Sequence, residues 1–216
     1  EEARMVRGEW VDRPAGDAIF GPYFNLALHQ KGDAKTGLLP NTRFPVVLGW
    51  DPGAVNNAIV FMQALPGAEK TVWLAFDELV TINKKLPYTM LIPMVMRKMA
   101  YWNRRMDNKF TYVHISDNSA FNQFRAKQGS YDVRDIQEIS QSKADAFKLE
   151  AIRMKAAPKF NGSVEARVRL TIAKLQSDEF LMSAQCVNLR KMFRNLVSTR
   201  QGKTYDPNLA FKPKRS

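Results

Sequence analysis

The sequence predicts an α/β fold in which helices flank a mixed β-sheet. Three apolar runs with strand character follow one another in the first half of the chain, separated by turns that contain Pro-Gly. A stretch with helical periodicity comes next, and a fourth apolar run follows it. Because a helix separates the third and fourth runs, we expect the fourth strand to return to the sheet through a crossover connection.

The first three strands are expected to form an antiparallel meander. Their apolar runs cover Val46 to Trp50, Ala58 to Met62 and Thr71 to Phe76. The pairs Pro52-Gly53 and Pro66-Gly67 favour turns between them. Consecutive strands joined by short turns pair antiparallel most simply, so this segment predicts the antiparallel part of the sheet.

The rest of the chain is predicted to alternate helix and strand. A helix at Thr89 to Met106 precedes the fourth strand at Thr111 to Ser116. The remaining elements are a polar helical region at about Phe121 to Ser142, a fifth strand at Lys148 to Ala156, a helix from Ser163 to Leu175, a short segment at Phe180 to Ser183 and a last helix at Val187 to Asn195. This order is that of a ribonuclease H-like sheet, in which the first and fourth strands are neighbours.

Two aspartates end the first and fourth strands. Asp51 follows the first apolar run and Asp117 follows the fourth. Parallel neighbouring strands bring their carboxyl ends to one edge, so we expect the two carboxylates to lie side by side, where bound cations would relieve their repulsion. The only cysteine is Cys186 and there are two histidines, so a metal would be held by oxygen, which favours Mg²⁺ or Mn²⁺. The alternative for each aspartate is ordinary turn chemistry.

Composition and charge indicate a globular protein with a polyanionic partner. The 216 residues are 45% hydrophobic and carry a formal net charge of +12. From Lys148 to Ser216 there are 15 Lys plus Arg against 5 Asp plus Glu. This pattern predicts a surface that neutralises phosphates; the alternatives are a solvated basic surface and a membrane-surface patch. No apolar run reaches the length of a membrane span and no secretory leader is seen, so we expect a cytoplasmic location without membrane contact.

Eight basic residues are candidates for contact with a nucleic acid. They are expected to bind phosphates rather than to read bases, so affinity should fall steeply with salt. The candidates are Lys84, Lys85, Arg104, Arg105, Lys155, Lys159, Arg167 and Arg169.

The first part of the chain is expected to be a lead-in to the domain. Residues 1–45 are rich in Gly and Pro, and Glu1 to Val6 begins in helical character. We therefore expect residues 46–216 to form the domain and the chain to be cut from a longer polypeptide.

Six short motifs, taken in order, resemble the C-terminal nuclease domain of tailed-bacteriophage terminase large subunits, a component of the viral DNA-packaging motor. The resemblance covers nearly the whole chain. The motifs are Arg7-Gly8-Glu9-Trp10 with Gly16 and Phe20, then Gly49-Trp50-Asp51-Pro52-Gly53, Phe76-Asp77-Glu78-Leu79, Ile115-Ser116-Asp117, Asn161-Gly162-Ser163-Val164 and Cys186-Val187-Asn188-Leu189.

The resemblance implies a ribonuclease H-like fold and an endonuclease that uses Mg²⁺ or Mn²⁺, with two ions, to cut concatemeric viral double-stranded DNA during genome packaging. It also implies an upstream ATPase domain, a small terminase subunit and a portal as partners. The implied location is the host cell cytoplasm, with transient attachment to the viral procapsid.

Carried over by position, Asp51 and Asp117 match the first-strand and fourth-strand metal ligands of that family. The third ligand is expected beyond Ser216, because the chain ends at the basic Pro-containing segment that precedes it in the family. Asp206 is the nearest substitute within the chain. Asp77 and Glu78 also match a family feature, and strand alternation allows only one of them on either face, so the alternatives are a secondary role near the metals and an ordinary strand-end role.

The sequence is also compatible with two further functions. A Holliday-junction resolvase or transposase core would share the fold and the carboxylates but act on branched DNA or on DNA ends. A non-catalytic module that binds DNA or a portal would use the fold only as a scaffold.

Overall fold

The computed structural model describes residues 17–33, 35–52, 56–67, 69–82, 84, 86–117, 121, 133–158 and 163–198. The described strands are β1 (Asp17–Ala18), β2 (Gln30–Lys31), β3 (Val46–Pro52), β4 (Asn57–Pro66), β5 (Thr71–Thr81), β6 (Tyr112–Ser116), β7 (Met154–Ala156), β8 (Phe180–Ser183) and β9 (Val197–Ser198). The described helices are α1 (Leu26–His29), α2 (Tyr88–Arg105), α3 (Val133–Phe147), α4 (Ser163–Gln176) and α5 (Val187–Asn195).

Seven of the described strands form one mixed sheet in the order β2-β8-β5-β4-β3-β6-β7. β4 pairs antiparallel with β3 and with β5, whereas the pairs β2–β8, β5–β8, β3–β6 and β6–β7 are parallel. β4 thus runs against the other six, whose carboxyl ends share one edge. We call it the carboxyl edge; β3, β5 and β6 reach it at Pro52, Thr81 and Ser116. The predicted mixed sheet, with the first and fourth strands as neighbours, is confirmed.

The antiparallel part of the sheet is longer than the sequence predicts. β4 has 10 residues and β5 has 11, and their pairing continues from Asn57 opposite Thr81 to Pro66 opposite Thr71. A register shift at Phe61/Met62 interrupts this ladder. The polar residues Asp77 and Glu78 therefore lie inside a strand instead of at its end.

Helices cover the two faces of the sheet unequally. On one face, α2 and α3 bury the main core, which includes Val46, Leu48, Leu91 and Ile136. On the other face, α4 and α5 pack with Leu175 and Phe193 over β4, β5 and β8. Because side chains alternate along a strand, Val47, Gly49 and Asp51 belong to this second face. The part of that face formed by β3 and β6 is only partly buried.

The described part of the expected lead-in packs against the domain. β2 extends the seven-stranded sheet beside β8, with Gln30 opposite Met182. The side chain of His29 is buried, and its Nε2 lies 2.9 Å from the carbonyl oxygen of Leu175 in α4. The Gly and Pro content that favours a linker here corresponds to short turns between small elements, so the sheet begins before residue 46.

The predicted fifth strand is wrong over most of its length. Only Met154–Ala156 pairs in the sheet, as β7 beside β6. The preceding residues form a connection whose apolar side chains Leu149 and Ile152 are buried in the main core. The amide of Ile152 donates to the hydroxyl of Ser140 in α3 at 2.9 Å, so helix packing, and not strand pairing, buries this apolar run.

The polar helical region is confirmed as α3 where the structure describes it, although the helix runs to Phe147. Residues 122–132 of that prediction lie outside the described residues. None of the described helices combines the length and the apolar composition needed to cross a bilayer.

Candidate metal centre

Asp51 and Asp117 meet at the carboxyl edge. β3 and β6 are parallel neighbours whose last partners are Trp50 and Ser116, so the two aspartates occupy the next position of each strand. Neighbouring strands lie about 4.8 Å apart, which places the two backbones within reach of a common ligand. The expected juxtaposition is present, even though 66 positions separate the two residues in the sequence.

The two carboxylates interact electrostatically. The pKa of Asp51 is raised, first by desolvation at the crowded strand ends and second by the negative charge of Asp117. The Asp51 side chain nevertheless remains exposed to solvent. A divalent cation would favour the ionised form of both groups, so the donor chemistry of this edge fits a hard metal such as Mg²⁺ or Mn²⁺.

A buried polar contact fixes the strands behind this edge. The indole Nε1 of Trp50 donates to Nδ1 of His114 at 3.2 Å, joining β3 to β6 on the face opposite to Asp51. Burial lowers the pKa of His114 to about 4, so its imidazole is neutral near neutral pH. His114 is therefore a packed core histidine, and its contact with Trp50 joins the two strands.

Asp77 has a structural environment away from this edge. Asp77 lies opposite Phe61 of β4, and Phe61 lies opposite Leu48 of β3. Leu48 precedes Asp51 by three residues, so Asp77 is set back from the carboxyl edge. Its carboxylate is buried and accepts from Lys98 Nζ at 2.6 Å and from the Trp102 indole at 2.8 Å. These contacts tie β5 to α2 on the face that carries the main core.

Glu78 points to the opposite face, as strand alternation requires. Its carboxylate accepts from the backbone amides of Asn188 at 2.7 Å and of Leu189 at 2.9 Å. The side-chain amide of Asn188 adds a third donor at 2.9 Å. Glu78 thus caps the first turn of α5, where the helix dipole favours a negative charge. Neither Asp77 nor Glu78 lies beside the two end aspartates.

Three of the predicted phosphate-binding residues lie toward the carboxyl edge. Lys84 follows β5 at this edge, and Lys155 lies in β7 opposite Ile115 of β6. Arg167 lies in the second turn of α4, which starts near the end of β7 and runs back to the start of β8. All three side chains are exposed.

The remaining basic candidates are not gathered there. Arg104 and Arg105 end α2, which runs from the end of β5 to the start of β6 and therefore terminates at the opposite edge. Arg105 also donates to the carbonyl oxygen of Thr36 at 3.0 Å. Arg169 pairs with Glu165 one turn earlier in α4. Lys85, Lys159 and Asp206 lie outside the described residues.

Within the described residues no group of three or more His, Cys, Asp or Glu side chains is arranged to hold a metal ion. Asp51 and Asp117 form a pair without a third described carboxylate.

Solved structures share this arrangement of strands and helices. The large terminase of a thermophilic bacteriophage, solved in complex with ADP, matches 84% of this chain and 38% of its own with a TM-score of 0.56 at 16% identity. The P22 large terminase nuclease domain matches 91% of this chain and 84% of its own with a TM-score of 0.55 at 13% identity. The fold is that of a terminase nuclease domain.

At these identities the likeness to terminases establishes the fold, and residue roles rest on the geometry above. The chain spans 38% of the length of the large terminase from the thermophilic bacteriophage. No protein-family model and no curated protein matches the sequence. The expected resemblance to the terminase nuclease domain is therefore confirmed through three-dimensional structure.

Sequence reasoning missed three structural roles within this terminase-type fold. The capping role of Glu78 and the ion pair of Asp77 depend on partners far along the chain. Their signal was the presence of two consecutive acidic residues inside an apolar run that proved to continue to Thr81. The motif that contains Trp50 gives no sign that its indole donates to His114.

Proposed function

We propose that this chain is a metal-dependent DNA endonuclease of a viral genome-packaging motor. The observation that carries the proposal is the pair Asp51 and Asp117 at the ends of adjacent parallel strands, in a chain with the terminase nuclease fold. Asp51 is exposed to solvent, as contact with a substrate phosphate requires. The substrate we propose is concatemeric viral double-stranded DNA.

Asp51 and Asp117 would be the protein ligands, together with a third carboxylate outside the described residues. Two bound Mg²⁺ or Mn²⁺ ions would supply the activation of water and the stabilisation of the leaving oxygen that phosphodiester hydrolysis needs. The two aspartates hold the reacting groups in place, and the buried contact between Trp50 and His114 keeps their strands in register. Lys84, Lys155 and Arg167 supply phosphate contacts on either side.

The proposed setting follows from the type of protein that shares the fold. In the large terminase of the thermophilic bacteriophage, the matched region is a minority of a chain that binds ADP. We propose that an ATPase domain belongs to the same motor here, with a small terminase subunit and a portal as partners. The proposed location is the host cytoplasm, with transient attachment to the procapsid.

Cleavage of supercoiled plasmid with Mn²⁺ or Mg²⁺ tests the proposal. We expect the parent chain to nick and linearise the plasmid and the variants Asp51→Asn and Asp117→Asn to lose at least about 100-fold in rate, because each removes a metal-binding carboxylate. Asp145→Asn is the matched control, since Asp145 is an exposed aspartate on α3 remote from the edge.

Calorimetric titration with Mn²⁺ provides a second readout that does not depend on turnover. We expect the parent to bind Mn²⁺ more tightly than either variant. A parent that binds Mn²⁺ without cutting would show that the pair holds a metal and that cleavage needs a further carboxylate. Equal metal binding and equal cleavage in parent and variants would refute the proposal, and preference for a four-way junction over linear duplex would favour a resolvase.

A further inference from the structure

Gly49 is a glycine without a backbone or packing reason in the described structure. It lies in β3, paired on one side with Val60 and on the other with Ile115. The positive-φ glycines of the described residues are Gly32 and Gly37, so Gly49 does not need its conformational freedom. A Cβ atom at Gly49 would meet no atom within 4 Å. A glycine inside a central strand weakens pairing and often marks a close approach by a ligand or another backbone.

Gly49 lies on the same face of the sheet as the candidate metal ligand Asp51. Gly49 and Asp51 share one face of β3, two residues apart, which corresponds to about 6.6 Å along the strand. The row of cross-strand neighbours through Gly49 contains Glu78 and Val60 on one side and Ile115 and Lys155 on the other. Among the described helices, α4 and α5 cover the Val60 side of this row and leave the side of β3 and β6 partly exposed.

The β7 flank of this partly exposed surface carries a cation. Lys155 is exposed on β7 and, being opposite Ile115, projects from the same face as Gly49. Between Val60 and Lys155 this row holds only Gly49 and Ile115. Beyond Val60 the next residue is Glu78, whose carboxylate accepts hydrogen bonds from α5. A polyanionic backbone bound over Gly49 would therefore contact a position without a side chain. Lys155 would lie to one side of it, and the proposed metal ligands Asp51 and Asp117 would lie at the carboxyl edge.

We propose that Gly49 is a positioning residue for the DNA strand to be cut: the sugar-phosphate backbone lies directly on β3 at Gly49 and is led from there to Asp51 and Asp117. This inference rests on the proposed nuclease function and specifies the path of its substrate. A side chain at position 49 would lift the DNA backbone from the sheet and displace the scissile phosphate from the carboxylates.

The test compares Gly49→Val with the parent in binding and in stability. Valine suits a strand and has open space at position 49, so the melting temperature should equal or exceed that of the parent. Affinity for a short DNA duplex, measured by fluorescence anisotropy without divalent metal, should fall about ten-fold because the backbone loses its close contact with the protein. The salt dependence of binding should keep its slope, since no charged residue is removed.

Ala64→Val is the matched control. Ala64 lies in β4 on the face of the sheet that carries Gly49, and it is about 20 Å along the strand from Ala58, which lies at the carboxyl edge. It should bind DNA like the parent. Parent-like affinity in Gly49→Val, with a parent that binds DNA, would overturn this inference and leave the proposed function standing. A lowered melting temperature in Gly49→Val would assign the space to the protein's own chain and also overturn it. A parent that neither binds nor cuts DNA would refute the proposed function itself.

Discussion

Asp51 carries the clearest electrostatic conflict among the described residues of the site. Desolvation and the charge of Asp117 both oppose its ionisation and raise its pKa. A folded-state pKa above the unfolded value means that the folded protein binds protons more readily, so Asp51 lowers stability at pH values above that pKa and has no effect below the unfolded value. The metal-free protein thus loses some stability by keeping this pair.

The variant Asp51→Asn should be more stable than the parent in the absence of metal. Near neutral pH, we expect a gain of up to about 1 kcal/mol in the free energy of unfolding, since solvent screens an exposed pair. The gain should shrink as the pH falls through the raised pKa and vanish below the ordinary value of 3.8, where Asp51 is protonated in both states. Urea unfolding in EDTA at several pH values measures it; a loss of stability near neutral pH would contradict this account.

The meeting of the two end aspartates was predictable from the sequence because the order of elements is that of a ribonuclease H-like sheet, in which the first and fourth strands are neighbours. Each ends an apolar run, and parallel pairing of the first and fourth strands is enough to bring them together. The environment of Asp77 was not predictable, since alternation fixes its face but not its partner. Lys98 follows Asp77 by 21 residues and lies in α2. Only the packing of α2 on β5 brings its amine to the carboxylate.

At the scale of elements, α5 depends on a cap supplied by a strand. Its own N-cap, Cys186, makes no side-chain capping hydrogen bond, and Glu78 of β5 fills that role from 110 residues away. The predicted bounds of this helix, Val187 to Asn195, are confirmed because its apolar periodicity is local. Its anchoring is not local, and the sequence gives no sign of the distant carboxylate.

Glu78→Ala should therefore destabilise the protein by about 2 kcal/mol, since hydrogen bonds to a charged acceptor contribute about 1.5–3 kcal/mol. Glu78→Gln should lose less, because one oxygen can still accept from an amide of α5. Urea unfolding measures both, and Glu138→Ala, at an exposed position of α3, serves as the control. Equal stability of Glu78→Ala and Glu138→Ala would show that the cap contributes nothing.

The fifth strand shows the limit of periodicity at this scale. An apolar run such as the one around Leu149 and Ile152 satisfies a strand pattern equally well when it packs against a helix. Ser140 of α3 supplies the acceptor for the Ile152 amide, a contact that no local pattern contains. Sheet pairing is consequently confined to Met154–Ala156.

At the scale of the whole molecule, the basic candidates divide between the two edges of the sheet. Lys155 and Arg167 lie toward the carboxyl edge, whereas Arg104 lies at the end of α2 near the other edge. If DNA is bound at the carboxyl edge, only the first group should affect binding. Charge counts alone could not separate the groups, because the direction of each helix relative to the sheet decides where its ends lie.

Lys155→Gln and Arg167→Gln should each weaken duplex binding and reduce the slope of log affinity against log salt by about 1. Arg104→Gln should change neither the affinity nor the slope. Fluorescence anisotropy over a series of salt concentrations measures these quantities. Equal slopes in all three variants would mean that DNA does not follow the carboxyl edge.

The small sheet of β1 and β9 determines how the domain would bear a load. Asp17 pairs with Ser198 and Ala18 with Val197, and the amide of Ile19 donates to the carbonyl oxygen of Leu196 at 2.9 Å. The chain therefore enters and leaves the described fold side by side. A tension applied through residues 17 and 198 would break the hydrogen bonds of this small sheet one after another, beginning at the pair Asp17 and Ser198. These bonds would break before the force acted on the strands that carry Asp51 and Asp117.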